Sequence, residues 1–205
     1  MKERPILFSA QMVRAILDGR KTQTRRIVNK PIPVGHKFHG WIIESTDKKR
    51  DGCAAWSIGD DALAYDLIVA KCKYGKPGDR LWVRETFLQD TNGFIYRADG
   101  DFEGNAGILG GWKPSIHMPR SASRILLEIT GVRVERLRDI SEEDAKSEGA
   151  HAINFGYGDC YALGFKQIWE SINGHGSWDL NPWVWVIDFK RINEEQTGGN
   201  NNPEH

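Results

Sequence analysis

The densest group of residues able to do chemistry lies between Gly19 and Arg26, where the sequence is Gly-Arg-Lys-Thr-Gln-Thr-Arg-Arg. A threonine hydroxyl is a weak nucleophile unless a base lies within hydrogen-bonding reach. Lysine serves as that base only when desolvation or a nearby cation favours its neutral form. Lys21 and Thr24 therefore predict attack by a hydroxyl on a carbonyl group.

The chain between Lys21 and Thr24 must bend if the two side chains are to meet. Residues three apart on a regular strand point to opposite faces. If Gly19 ends a helix and residues 20–23 form a bend, the Lys21 amine can approach the Thr24 hydroxyl. The neighbouring cations are Arg20, Arg25 and Arg26. The alternative interpretation is a helix C-terminus that attracts cations, followed by an ordinary strand.

The elements that must position this segment are predicted from apolar spacing. Residues 5–8 indicate a short strand, and Ser9 is a plausible N-cap for a helix that Gly19 ends. Further strands are predicted at Thr24–Val28, Trp41–Ile43, Cys53–Trp56, Arg80–Phe87, Phe94–Tyr96, Arg124–Leu137 and Pro182–Ile192. Because crossover helices do not regularly separate these strands, a parallel α/β sheet is disfavoured.

Two more helices are predicted near the end of the chain. Ser141 caps the first, and Gly149 closes it after two turns. The second has apolar residues at helical spacing, namely Phe165, Ile168, Trp169 and Ile172. The predicted fold class is α+β, a mostly antiparallel β-barrel with peripheral helices and inserted loops and a hairpin.

Three features occur in the order found in the ASCH family, which this chain resembles. They are Gly19 to Thr22 after an amphipathic helix, Pro77-Gly78-Asp79 before a strand, and Trp183 to Ile187 near the end. The resemblance implies a β-barrel related to the PUA domain, which is known for RNA binding. The longer form, with Trp82 to Glu85, is similar to ASCH proteins of phage and prophage genomes.

The length of the chain, 205 residues, fits one domain with large insertions. With the resemblance, it predicts a single PUA-like domain over residues 1–192. The insertions are expected at about 29–79 and 89–123. The polar tail at 193–205 is expected to be disordered.

A small bacterial branch of the ASCH family hydrolyses N4-acetylcytidine to acetate and cytidine. Its catalytic lysine and threonine lie in a Gly-Arg-Lys-Thr-x-Thr motif, which matches Lys21 and Thr24, and its Ala-x-x-Glu segment matches Ala145 to Glu148. The resemblance implies that Lys21 accepts a proton, Thr24 attacks and Glu148 donates a proton. The negative end of a helix dipole at Glu148 favours a protonated carboxyl; a solvated glutamate is the alternative.

A second set of residues can form a nucleic-acid surface, with rings for base stacking and cations for phosphates. Trp82 and Arg84 share a strand face and are expected to act together. The predicted binding residues are Arg20, Arg25, Arg26, Trp82, Arg84, Glu85, Trp112, Lys113, His117 and Arg120. For any single one, the alternative is a buried tryptophan or a surface arginine.

Metal chemistry has weaker support in the sequence. His36, His39, Cys53 and Cys72 are zinc-ligand types, but neither cysteine belongs to a Cys-x-x-Cys pair. We therefore expect no metal and no cofactor.

Composition narrows the classes of partner and compartment. Lys and Arg together number 28, as do Asp and Glu, whereas a duplex-DNA binder usually has a basic surplus. The three cysteines are odd in number and widely spaced, which suits a reducing compartment better than a set of disulfides. Neither a signal peptide nor a run of roughly 20 apolar residues is present. We expect a soluble cytoplasmic protein whose partner is RNA or a modified nucleoside.

The first expectation for function is an amide hydrolase acting on an acylated nucleoside or base, without metal. Two alternatives stay open. One is a module that binds RNA or single-stranded nucleic acid and performs no reaction. The other is a metal-independent ribonuclease, a function also proposed within the family.

Overall fold

The computed structural model describes residues 1–59, 66–91, 93–100, 111–154, 156 and 158–192. The tail predicted at 193–205 lies outside these residues, as does the centre of the second predicted insertion, 101–110. Among the described residues, no helix is long and apolar enough to span a membrane.

The described residues form helices and strands in mixed order. The helices are α1 (Ala10–Leu17), α2 (Glu142–Ser147) and α3 (Tyr161–Asn173). The strands are β1 (Glu3–Leu7), β2 (Gln23–Ile27), β3 (Lys37–Trp41), β4 (Ala54–Ser57), β5 (Ile68–Ala70), β6 (Arg80–Arg84), β7 (Phe87–Asp90), β8 (Gly93–Tyr96), β9 (Leu126–Arg136), β10 (Ile153–Asn154), β11 (Asp159–Cys160) and β12 (Trp183–Ile192). This mixture confirms the predicted α+β class.

The main sheet has five strands in the order β1-β6-β9-β12-β2. Its edge strand β1 pairs in parallel with β6, and β6 pairs antiparallel with β9. A three-stranded antiparallel sheet joins β3, β4 and β5, and the pairs β7-β8 and β10-β11 are antiparallel as well.

Residue contacts divide the chain into two compact units. Unit 1 comprises the described residues of Met1–Thr22, Tyr74–Gly131 and Asp188–His205. Unit 2 comprises those of Gln23–Lys73 and Val132–Ile187. Strands β9 and β12 contribute residues to both units.

The helix α1 of unit 1 begins and ends as its sequence predicts. Ser9 Oγ accepts a hydrogen bond from the Met12 amide at 3.4 Å, the N-cap contact. Gly19 follows with a φ of 73°, a left-handed conformation that glycine adopts without steric cost. Met12, Val13 and Ile16 are buried, so the apolar face of the helix packs into unit 1.

The strand predicted over Arg80–Phe87 ends earlier, because β6 stops at Arg84 and β7 begins at Phe87. Between them, the Glu85 amide donates to Met118 Sδ at 3.2 Å and the Glu85 carboxylate contacts Arg124. A buried carboxylate needs an ionic partner. The pairing of β6 ends at Arg84, and the next residue, Glu85, is held by Arg124.

Two layers of apolar side chains pack in unit 2. One joins α2 and α3 to β12, with Ala145, Phe165, Trp169, Val184 and Val186 buried together. Ile172, which the helical spacing placed in this core, is instead 54% exposed. Ile172 lies in the last turn of α3, beyond Phe165 and Trp169, which belong to the buried cluster.

The other layer of unit 2 is aromatic. Trp56 of β4 lies 6.1 Å from Trp183 and 6.2 Å from Trp185 between ring centroids. Phe38 lies 5.6 Å from Trp56. The strand predicted at Trp41–Ile43 therefore starts earlier, at Lys37, because Phe38 is the residue that packs on this layer.

Candidate functional site

Thr24 is the second residue of β2 in unit 2, and its side chain is completely buried. Gln23 and Arg25 flank it, so the Thr24 side chain points to the opposite face of the strand. Among the described residues, none forms a hydrogen bond with Thr24 Oγ1. An unsatisfied buried hydroxyl costs about 1–3 kcal/mol. Such a group in a native fold calls for an explanation, and a role in catalysis is one of those possible.

The Arg25 side chain is fully buried and holds a cluster of carboxylates within unit 2. Its Nη2 lies 2.9 Å from Glu135 Oε2 and 2.8 Å from Asp144 Oδ2. Its Nη1 donates to Gln23 Oε1 at 2.6 Å and to Glu148 Oε1 at 3.4 Å. The predicted anion-binding arginine is thus surrounded by carboxylates of the protein itself.

Asp144 occupies the centre of this cluster. Its carboxylate accepts from Arg25, from Gln23 at 3.0 Å and from Arg133 Nη2 at 2.8 Å. Burial raises the pKa of Asp144, but these hydrogen bonds together hold it below its ordinary value. The cluster therefore contains an ionised aspartate at neutral pH.

Glu148 is positioned by the end of α2. Ser141 Oγ accepts from the Asp144 amide at 3.1 Å and begins the helix, as predicted. Glu148 is the C-cap residue and is 3% exposed, so the alternative of a solvated glutamate is wrong. Glu148 contacts Arg25, whereas Thr24 points to the other face of β2. The contacts of unit 2 thus bring Glu148 to Arg25 and not to the Thr24 hydroxyl.

Lys21 belongs to unit 1 and is 2% exposed. Its amide donates to the Ala15 carbonyl at 2.9 Å, so the backbone turns back onto α1 after Gly19. Its Nζ lies 5.7 Å from the centroid of the Phe8 ring. The Lys21 amine is therefore buried beside an aromatic face, which attracts a cation.

The other two arginines of the motif differ in environment. Arg20 is partly exposed and pairs with Asp18 at 2.9 Å, as expected for a surface ion pair. Arg26 is half-buried, and its Nη1 donates to the Arg25 carbonyl at 3.2 Å. Only Arg20 is an open surface cation.

Among the predicted nucleic-acid residues of unit 1, the structure brings Trp82 and Arg84 together. The Arg84 guanidinium lies 5.4 Å from the Trp82 ring centroid. It also donates to the Ile116 carbonyl, next to the exposed His117. These groups form one part of the unit 1 surface.

The remaining residues of that set have separate neighbours within unit 1. Trp112 lies 6.0 Å from Arg97, and Lys113 pairs through its backbone with Phe87. Arg120 forms an ion pair with Glu3 at 3.0 Å. Whether they bind nucleic acid stays a prediction.

Glu85, predicted to bind a ligand, is 1% exposed and belongs to an internal cluster of unit 1. Arg124 holds both of its oxygens, at 2.9 and 3.1 Å, and lies 3.9 Å from the Tyr96 ring centroid. Burial raises the pKa of Glu85, although the Arg124 hydrogen bonds and charge oppose this. Asp99 is the second carboxylate partner of Arg124, at 2.7 Å.

Arg133, Glu135 and Asp144 belong to the cluster but were not predicted from the sequence. One signal was present. Arg133 and Glu135 alternate with Val132 and Val134 along β9, which places two opposite charges on one face of the strand. Asp144, by contrast, looked like an ordinary acidic residue in the first turn of a helix.

The histidines and cysteines weighed as zinc ligands have other partners. His39 Nε2 lies 2.8 Å from Ser57 Oγ, and His36 Nε2 lies 3.2 Å from Asp66 Oδ2. Cys53 Sγ lies 3.7 Å from the Lys49 carbonyl. Within the described part of the chain, no three metal-ligating side chains cluster.

Comparisons of this chain with protein-family models, with curated proteins and with solved structures found no match.

Proposed function

We propose that this chain is an amide hydrolase acting on an acylated nucleoside or base of the N4-acetylcytidine type, built on a PUA-like fold of the ASCH kind. The observation that carries the proposal is the Thr24 hydroxyl, which is buried and without a hydrogen-bond partner among the described residues. It lies in the motif Gly-Arg-Lys-Thr-x-Thr, which resembles the motif of the N4-acetylcytidine hydrolases. An unpartnered hydroxyl still needs a base to become a nucleophile, and the resemblance assigns that role to Lys21.

In the reaction that the resemblance implies, neutral Lys21 takes the proton of the Thr24 hydroxyl while the oxygen attacks the acyl carbon. The carbon–nitrogen bond breaks as the departing exocyclic amine of the base takes a proton. The resemblance gives the role of donor to Glu148, which in this structure contacts Arg25 on the face of β2 opposite to Thr24. Water then hydrolyses the threonyl ester, releasing the carboxylic acid and restoring the hydroxyl, and the proton held by Lys21 returns to Glu148 through solvent. One water is consumed for each amide cleaved.

Thr24 Oγ1 has no hydrogen-bond partner among the described residues, Lys21 included, but catalytic hydrogen bonds are often long or poorly aligned before substrate binds. The missing partner of Thr24 is therefore compatible with the proposed attack. Because Thr24 is fully enclosed, a substrate reaches the hydroxyl only when neighbouring side chains move apart. The proposal thus includes an opening step before chemistry.

Glu148 enters this reaction from the resemblance, and its contact with Arg25 suggests a second role. As a proton donor, it would contribute roughly 10²–10⁴-fold to the rate. As a positioning residue, it would hold Arg25 and the end of α2. The variant Glu148→Gln separates the two roles. Loss of a donor lowers kcat and removes one limb of its pH profile, whereas loss of positioning lowers Tm and leaves the profile unchanged in shape.

A non-catalytic nucleic-acid module is the second candidate. The guanidinium of Arg84 beside the Trp82 ring favours it, because bases stack on aromatic rings and cations hold phosphates. The proposed hydrolase and this module are not mutually exclusive on one chain.

One experiment distinguishes the candidates. The protein is incubated separately with N4-acetylcytidine and with a mixed-sequence RNA oligonucleotide, and both mixtures are separated by chromatography. Free cytidine supports the hydrolase, shortened RNA indicates a ribonuclease, and a gel shift without product indicates a binding module. Thr24→Val tests the nucleophile and Thr22→Val, an exposed neighbour, is its control. Full turnover by Thr24→Val refutes the assignment.

A further inference from the structure

A groove of about 450 Å³ lies within unit 2, between the end of β2 and the strand β5. Each of these strands is at the edge of its own sheet, β2 in the main sheet and β5 in the three-stranded sheet. Val28 and Val69 line its two sides, and Trp185 of β12 contributes to the same wall. Cavities that enclose a ligand have volumes of roughly 300–1,000 Å³, so the groove has room for a short segment of chain.

The backbone carbonyls on both sides of the groove are held by side chains. Lys30 Nζ donates to the Val69 carbonyl of β5 at 3.0 Å. On the other side, the Asn29 amide, oriented to satisfy both of its neighbours, donates to the Ile27 carbonyl at 3.1 Å. Among the described residues, no backbone hydrogen bond joins the two strands across the groove. The Val69 carbonyl can therefore exchange a flexible lysine for the N–H of an added strand.

The charge of the groove comes from three lysines. Besides Lys30, they are Lys71, whose amine donates to the Asp51 carbonyl at 3.1 Å, and Lys73, whose amine lies 3.1 Å from the Asn29 amide oxygen. These amines thus contact neutral oxygen atoms. Of the described residues that line the groove, none is acidic. The groove therefore has a surplus of positive charge that a negatively charged ligand would balance.

Lysines beside an edge strand also occur as protection against pairing between copies of a chain. Such protection requires no cavity, whereas here a space remains between the two edges. Its wall includes the side chain of Ile27, which is 38% exposed. The groove thus combines an open apolar wall with cations, and this combination fits a ligand that has both apolar and acidic groups.

An extended peptide has this combination when acidic and apolar residues alternate, because successive side chains of a strand point to opposite faces. In strand addition, main-chain hydrogen bonds supply affinity and pockets for alternate side chains supply specificity. Strand β5 has three residues, Ile68–Ala70, which is about 10 Å of chain at 3.3 Å per residue. The matching segment is therefore short.

We infer that this groove is a docking site for an extended acidic segment of a partner protein, which adds a strand to β5 and places its carboxylates beside Lys30, Lys71 and Lys73. On binding, a peptide N–H takes the place of the Lys30 amine at the Val69 carbonyl, and the released amine pairs with a carboxylate. The site does not use Thr24 and is independent of the proposed hydrolysis.

Binding to the full chain is measured by fluorescence anisotropy with three labelled heptapeptides, each acetylated and amidated. The first alternates glutamate with valine, and the second alternates lysine with valine. The third is the first peptide with every backbone amide N-methylated, which keeps the charge and removes the main-chain donors. We expect the acidic peptide to bind and the other two to bind at least about tenfold more weakly, because charge and main-chain hydrogen bonds both contribute.

Lys71→Gln is the principal variant, because the residue is exposed and lines the groove. We expect the acidic peptide to bind about threefold to fivefold more weakly, the effect of one exposed ion pair. The double variant Lys30→Gln, Lys71→Gln should weaken binding about tenfold or more. Lys49→Gln is the matched control, since Lys49 is exposed in unit 2 and outside the groove wall. Its binding should equal that of the native chain.

Thermal unfolding verifies that each variant is folded. Absence of acidic-peptide binding by the native chain, unchanged binding by the double variant, or equal binding of the methylated peptide overturns the inference. A single-stranded RNA of seven nucleotides is titrated in parallel, and tighter binding of this RNA than of the acidic peptide also overturns it. Thr24→Val should bind the acidic peptide as the native chain does, which separates this result from a failure of the proposed hydrolase.

Discussion

The guanidinium Nη1 of Arg25 lies 3.4 Å from Oε1 of Glu148, although 123 positions separate the two residues in the chain. The same arginine holds Glu135 and Asp144 at 2.9 and 2.8 Å. Arg25 therefore ties the start of β2 to β9 and to the helix that ends at Glu148. The geometry of the third proposed catalytic residue depends on a buried ion cluster.

Replacing Arg25 should destabilise the protein strongly. Arg25→Met leaves the carboxylates of the cluster without this cation in a buried environment, and removal of one partner from such a cluster costs about 3–5 kcal/mol. Urea unfolding measures the change. Arg20→Gln is the control, because its exposed pair with Asp18 contributes at most about 1 kcal/mol. Equal losses in the two variants would contradict the structural role of Arg25.

Replacing Thr24 should separate stability from activity. Thr24→Val keeps the shape of the side chain and removes a buried hydroxyl that has no described partner, so we expect unchanged stability or a gain of about 1 kcal/mol. Hydrolysis of N4-acetylcytidine should be lost. Calorimetric melting and product chromatography measure the two effects. A large drop in Tm would mean that the hydroxyl has a structural partner.

Because of the Asp144 carboxylate, the free energy of unfolding should depend on pH in the acidic range. The pKa of Asp144 in the folded chain is below its ordinary value of 3.8. Its contribution to the free energy of unfolding is therefore complete above pH 3.8 and is lost as the pH falls through the pKa of the folded state. Asp144→Asn should be less stable at neutral pH and show a shallower loss in acid. Glu143→Gln, exposed on the same helix, should match the native profile. Unfolding free energies across an acidic pH series test this.

Glu85 should produce the opposite dependence. Burial raises its folded pKa above the ordinary value of 4.5, so the native state binds the proton more tightly than the unfolded state. The contribution of Glu85 to the free energy of unfolding is complete below pH 4.5 and declines as the pH rises through the raised pKa of the folded state. Glu85→Gln should remove this decline, and Arg124→Gln should steepen it by removing the cation that opposes the shift. Parallel native and Glu85→Gln profiles in urea unfolding would refute the prediction.

The Trp82 and Arg84 pair should contribute to nucleic-acid binding if unit 1 carries that surface. Trp82→Ala removes the stacking platform and should weaken RNA binding about fivefold or more. Arg84→Gln should lower the dependence of log K on log salt by about one if Arg84 contacts a phosphate. Fluorescence anisotropy over a salt series measures both quantities. Lys190→Gln, an exposed lysine outside the pair, is the control.

The local elements of this chain were predictable because their signals lie within a few residues of each other. Ser9 and Ser141 cap α1 and α2, and Gly19 follows α1 with positive φ. Such caps are decided by short-range hydrogen bonds that the sequence displays directly. The boundaries were less secure, as the early end of β6 at Arg84 demonstrates.

The candidate site was predictable only in part. Residue types and the motif identified Lys21, Thr24 and Glu148, and the structure buries all three. The partners were not predictable. Periodicity tells which face of β9 carries Arg133 and Glu135, but it does not tell which distant charge lies opposite.

The sequence by itself determined how α1 and α2 are capped, which faces are apolar and which residues could act on a carbonyl. The tertiary structure decided that Arg25 is an internal cation, that Glu85 is held by Arg124, and that Lys30 contacts the Val69 carbonyl. The physical reason is that burial makes an ionic or polar group depend on whichever partner is within about 3 Å. Those partners come from segments that only folding brings together.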